Sequence, residues 1–108
     1  MRIYAIGNVH FFMGDFDLAI VSYDKALAQF ASIKHSPGVA SMYASIGGTR
    51  YAQQKYDLAL ESYEKSLAMY ESLGDRSRAA GIIERIASVR YSKGEHAASL
   101  ELHVARQW

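Results

Sequence analysis

"FDLAIVSYDKALAQF" occupies Phe16–Phe30, and "YDLALESYEKSLAMY" occupies Tyr56–Tyr70, forty residues further on. Laid over each other, the two stretches share Asp17/Asp57, Leu18/Leu58, Ala19/Ala59, Ser22/Ser62, Tyr23/Tyr63, Lys25/Lys65, Leu27/Leu67 and Ala28/Ala68. Most of the differences are mild: Phe for Tyr, Ile for Leu, Asp for Glu. A chain that returns to the same pattern at a fixed interval is built from structural units laid side by side.

The period reaches beyond these stretches. Ile6-Gly7, Ile46-Gly47 and Ile86-Ala87 form one set of columns, Phe11, Tyr51 and Tyr91 another, and His10, Arg50 and Arg90 a third. Leu60-Glu61 returns as Leu100-Glu101. The third copy is the weakest, with Ser99 in place of Ala59 and His103 in place of Tyr63.

Each unit reads as two helices. In the second stretch Tyr56, Ala59, Leu60, Tyr63, Leu67 and Tyr70 recur at steps of three and four, which lays an apolar stripe along an α-helix. Glu61 and Lys65 stand four apart on the other side, in the favourable orientation. No period-two alternation persists, so strands are not expected. "MGDF" at Met13–Phe16 and "SKGEH" at Ser92–His96 supply glycine turns inside units. "LGDR" at Leu73–Arg76 ends a helix on Gly74 and offers Asp75 as the next N-cap. "HSPG" at 35–38 does the same with Ser36 as cap and Pro37 in the first helical position. The expected helices run over 2–13, 16–33, 37–53, 56–73, 76–93 and 95–107.

Composition narrows the function. Half of the 108 residues are hydrophobic and 21% are charged, as in a single small globular domain. Twelve basic residues against eleven acidic ones leave a net charge of +1, with no basic block to suggest nucleic acid or an anionic membrane surface. There is no cysteine, which removes disulfides, zinc fingers and thiol catalysis together. No apolar run approaches the ~20 residues that cross a bilayer, and "MRIYAIGNVHFF" fits the repeat frame better than a signal peptide. The expectation is a cytoplasmic protein that needs no cofactor.

No catalytic or metal constellation emerges. His96 and His103 lie seven apart, but a third ligand and close spacing are missing, and both occupy aromatic columns of the repeat. His10, Arg50 and Arg90 suggest a recurring polar head beside an aromatic neighbour. Asp15 and Asp17 read as charges at a helix start. "GGT" at Gly47–Thr49 lacks the Gly-Lys-Ser/Thr of a phosphate loop. No Ser-His-Asp triad or carboxylate pair can be assembled, so the chain is not expected to be an enzyme.

A unit such as "IGNVHFFMGDFDLAIVSYDKAL" closely resembles the tetratricopeptide repeat. The small, Gly, aromatic, Ala, aromatic and Ala positions of that pattern fall on Gly7, Gly14, Phe16, Ala19, Tyr23 and Ala26, then on Gly47, Gln54, Tyr56, Ala59, Tyr63 and Ser66. In the third copy they fall on Ala87, Gly94, His96, Ser99, His103 and Arg106, a partial fit. The 40-residue period resembles the longer-helix variety. The resemblance implies an all-α, right-handed solenoid of three antiparallel helical hairpins. They form one domain over 1–108, with units at about 1–36, 37–75 and 76–108. The unclosed pattern at its end reads as a piece of a longer array.

Small residues at Gly7, Ala19, Gly47 and Ala59 let paired helices approach, while Phe16, Tyr23, Tyr56 and Tyr63 are expected to fill the space between units. The family's first helices line a concave groove. The matching positions are Tyr4, Asn8, Phe11 and Phe12, then Ala44, Gly48 and Tyr51, then Glu84, Ser88 and Tyr91. Phe11, Tyr51 and Tyr91 are read as an aromatic ladder for an inserted peptide, with packing on the second helix of the same unit as the alternative. Of the carboxylate clamp found in some members, only Asn8 and Arg85 match, because Tyr4, Ser45 and Gly81 hold the other places. A chaperone-tail clamp is therefore not expected. The resemblance implies a non-catalytic module that binds a protein partner, as a regulatory or scaffold segment of a signalling protein. The alternative is self-assembly, with uncapped terminal repeats stacking head to tail into a homo-oligomer.

Overall fold

The computed structural model describes the backbone of residues 2–106 and the side chains of residues 2–97. Five helices follow in order: α1 Ile3–Phe12, α2 Phe16–Ser32, α3 Ser36–Ala52, α4 Tyr56–Ser72 and α5 Arg76–Arg106. Among the described residues there are no strands. Each helix packs on the next along the chain, so α1–α2 and α3–α4 are closed hairpins and α5 stacks on α4. The radius of gyration is 15.8 Å, against about 13 Å for a compact domain of this size. This is the elongated form of a helical-hairpin solenoid.

Four turns share one geometry. The residue after each helix cap has a positive φ: Gly14 at 82°, Lys34 at 55°, Gln54 at 61° and Gly74 at 71°. The following amide then reaches back five residues, Asp15 to the His10 carbonyl, His35 to Phe30, Lys55 to Arg50 and Asp75 to Tyr70, at 2.8 to 3.0 Å. This is the Schellman closure, which satisfies carbonyls that a helix end leaves free. The next helix starts at once. Asp75 caps α5 as its sequence suggests, accepting from the Arg78 amide at 3.1 Å. The α3 cap is His35 rather than Ser36: its Nδ1 accepts from the Gly38 amide at 2.9 Å, and Pro37 falls one place later than expected.

Packing follows the repeat columns. A Cβ built on Gly7 would meet the Tyr23 ring at 2.8 Å, and one on Gly47 would meet the Tyr63 ring at 2.9 Å. These two tyrosines therefore lie over glycines of their own unit, rather than filling only the space between units. Ala19 and Ala59, both fully buried, complete the close approach. One core joins α1, α2 and α3 around Ile20, Tyr23, Met42 and Ile46. A second joins α3, α4 and α5 around Ala40, Tyr63, Tyr70, Ile82 and Val89. Ser66, with no exposed surface, donates to the Ala40 carbonyl at 2.8 Å and ties α4 to α3.

The expected turn at Ser92–His96 does not form, and the expected sixth helix over 95–107 is instead the continuation of α5 as far as Arg106. Gly94 stands in the same column as Gly14 and Gln54, yet it stays helical while Gln54 turns. Local preference is therefore not what decides. The straight helix instead meets α4, with Lys93 bonded to Asp57 and His96 against the Tyr56 ring. The third copy matches the covering helices only in part, with His96, Ser99 and His103 where α4 has Tyr56, Ala59 and Tyr63. Residue 107 lies outside the described residues.

Candidate functional site

Two clefts open between the first helices of successive units. One, of about 360 Å³, lies between α1 and α3 and is lined by Arg2, Tyr4, Phe30, His35, Ser41 and Met42. The other, also about 360 Å³, lies between α3 and α5, with Ser41, Ala44 and Ser45 facing Arg78, Gly81 and Arg85. Ser41 belongs to both, so the clefts run together as one groove. The i, i+3 and i+4 spacing of α3 brings Ser41, Ala44 and Ser45 to the same face. Arg78 and Arg85, seven apart, project together from α5 for the same reason.

The groove residues named from sequence differ in what they touch. Tyr4 and Ala44 line the clefts, although Ala44 is only 8% exposed and serves as floor. Tyr4 also stacks on Phe30 at 6.3 Å, with the Arg2 guanidinium over its ring. Asn8 is already engaged, its side-chain oxygen accepting from the Tyr23 hydroxyl. Gly48 sits beneath the Tyr63 hydroxyl, which a built Cβ would meet at 3.3 Å. Glu84 and Ser88 are exposed on α5, where the Ser88 hydroxyl donates back to the Glu84 carbonyl.

The aromatic column behaves differently from a ladder of open rungs. Phe11 is half-buried and packs edge-on against Phe12 at 5.7 Å and Phe16 at 5.6 Å. The Tyr51 ring lies 5.8 Å from Tyr56, and its hydroxyl is 2.6 Å from that of Ser92. Both rungs thus pack on the first residue of their own second helix. Tyr91, 71% exposed, has no such partner because α5 does not turn. Among the described residues Phe12 is the most open phenyl or phenol ring, at 84%.

Charge in the groove is carried by arginine. Arg78 is held by Asp75 at 2.9 Å, whereas Arg85 has no carboxylate partner among the described residues. Arg85 lies close enough to the Tyr63 phenol to favour its ionised form, but burial outweighs this and raises the Tyr63 pKa. Burial raises that of Tyr23 as well. Both phenols thus stay protonated at neutral pH, and that of Tyr23 donates to Asn8. Ser41, Arg78 and the placing of Ser45 and Arg85 on one cleft escape a reading by aromatic columns. Their signal is the spacing of small polar residues on α3 opposite two arginines on α5.

Among the described residues no cluster of His, Cys, Asp or Glu has the geometry to hold a metal ion. His10 faces the Asp15 carboxylate at 3.9 Å, Arg50 bonds Gln53, and Arg90 pairs with Glu64. The aromatic neighbour expected for that column is therefore replaced by polar partners. His96 lies 6.3 Å from the Tyr56 ring. The side chain of His103 falls outside those described. No described helix is long and apolar enough to cross a membrane.

Comparison with curated proteins returned no match. The family model for the tetratricopeptide repeat matches residues 1–72, from the start of the chain to the end of α4. Together with the two closed hairpins and their 40-residue columns, this match shows that the chain belongs to the tetratricopeptide repeat family.

Proposed function

We propose that the chain is a non-catalytic interaction module that takes a peptide or helix of a protein partner into the groove between α1, α3 and α5. Tetratricopeptide repeats commonly mediate protein–protein contact. The observation that carries the finer reading is the joined cleft itself. It combines apolar floor at Ala44 and Ile82 with donors at Ser41, Ser45, Arg78 and Arg85. Such a surface fits a peptide backbone and its side chains, since aromatic and arginine contacts dominate binding energy where they are desolvated. The role that follows is a regulatory or scaffold segment of a larger cytoplasmic protein.

Head-to-tail stacking finds support at one end only. Ile6 and Val9 on α1 are 36% and 46% exposed and Met13 just after it 68%, whereas the counterparts Ile46 and Thr49 are buried. The opposite end offers no second helix to dock there, because α5 runs on.

Gly81→Phe tests the groove reading. Gly81 lines the α3–α5 cleft and a Cβ there meets nothing within 4 Å, so the ring fills the cleft without disturbing the core. Wild-type and Gly81→Phe chains are used as paired baits, with circular dichroism as a fold control. A partner held by wild type and released by Gly81→Phe is the expected result. Equal capture by both folded baits would remove the groove from consideration.

A further inference from the structure

In the closed hairpins one face of each first helix is covered by the second helix of its own unit. Tyr23 covers Gly7 and Tyr63 covers Gly47, while Ser66 and Lys65 lie over Ala40 and Tyr43. The same columns on α5 are Ala80, Ile83 and Ala87. All three are exposed, Ile83 at 54%, although Ala40 has no exposed surface. The segment that matches the covering helices in repeat register is 95–106. It lies beyond Gly94, which is helical, so it continues straight on from α5. Twelve residues of helix carry it about 18 Å past that face.

We infer that α5 is the open form of the third hairpin and that two copies of the chain exchange residues 95–106. In the exchange each straight α5 offers its distal half to the other molecule's Ala80–Ile83–Ala87 face. The contact is isologous and closes as a dimer, unlike a head-to-tail stack, which continues as a filament or ring. The second copy is the occupant because it carries both the uncovered face and the segment written in the register of its cover. Lys93, bonded to Asp57, and His96, against Tyr56, hold the hinge straight on either side of Gly94. A Cβ on Gly94 meets nothing within 4 Å, so the straight helix accepts a side chain there.

The test uses the whole chain, which has no native thiol. Ala87→Cys and His103→Cys are made separately, as the counterparts of the Gly47 and Tyr63 pair that lies in contact within α3–α4. The two variants are mixed, refolded together and oxidised, and the products are read by mass. The expected result is a covalent dimer joining position 87 of one chain to position 103 of the other, with light scattering giving a dimer for wild type. Gly94→Ala, which favours helix and disfavours a left-handed turn, is expected to tighten the dimer about tenfold or more. His96→Pro is compatible with the start of a separate helix but not with a continuous one. It is expected to give a folded monomer and no mixed product. Monomer at all concentrations, or oxidised products joining only like positions, would overturn the exchange.

Discussion

The same substitution at two glycines should have opposite effects. Gly81 sits on α5 with open space where a Cβ would stand. Gly81→Ala therefore adds only helix propensity and should stabilise the fold by ~1 kcal/mol. Gly47 sits under the Tyr63 ring, and a Cβ there would meet its Cγ, Cδ1 and Cε1 within 3.0 Å. These atoms form the base and flank of the ring rather than a flexible tip. Tyr63 is only 4% exposed, so the ring has nowhere to retreat without repacking. Overpacking of this kind costs ~1–3 kcal/mol, and set against a propensity gain of ~1 kcal/mol this leaves Gly47→Ala destabilised by up to ~2 kcal/mol. For a domain of this size 1 kcal/mol moves the melting temperature by about 4–8 °C. Thermal denaturation followed by circular dichroism should thus place Gly81→Ala above wild type and Gly47→Ala below it. If both variants rise together, the close approach of α3 and α4 through Gly47 is not what sets this fold.

Gln54 adopts a left-handed φ that glycine accepts more readily, so Gln54→Gly should raise stability by about 0.5–1 kcal/mol in urea unfolding. Ser66→Ala removes the buried bond to the Ala40 carbonyl and should cost about 0.5–1.5 kcal/mol by the same measurement. Asp75 is held below the usual carboxylate range, first by the Arg78 amide and then by the Arg78 side chain. A carboxylate with its folded pKa lowered stabilises the fold above its unfolded pKa of ~4 and loses that contribution as the pH falls through the folded value. Asp75→Ala should therefore melt below wild type at pH 7, with the two curves converging in acid.

The repeat made much of this architecture legible before any coordinates. Gly7 with Tyr23 and Gly47 with Tyr63 are recognisable as pairs because each recurs at the same interval, and three of the four turns lie where glycine, Asp or Pro mark them or one residue away, the turn at Gln54 following from the repeat alone. The helix through Gly94 was not legible. Glycine there announces a turn, but Lys93 on Asp57 and His96 on Tyr56 hold the helix straight, and those are contacts between residues distant in the chain. The aromatic column misled for a related reason. Steps of three and four put Phe11 and Tyr51 on one face, but they do not say whether that face meets a ligand or Phe16 and Tyr56. Ser36 lost the cap to His35 because an imidazole Nδ1 one residue earlier reaches the Gly38 amide. Ser41, Ser45 and Arg78 carry no repeating signature, so only the packing of α3 beside α5 brings them together.

The most direct test of the groove reading is an amide chemical-shift map of the chain titrated with the partner segment that wild type captures. The account predicts shifts concentrated at Ser41, Ser45, Gly48, Gly81 and Arg85, which line or adjoin the α3–α5 cleft. Shifts confined to exposed positions of α2 and α4 such as Leu18, Val21 and Leu58, with the cleft unperturbed, would contradict it.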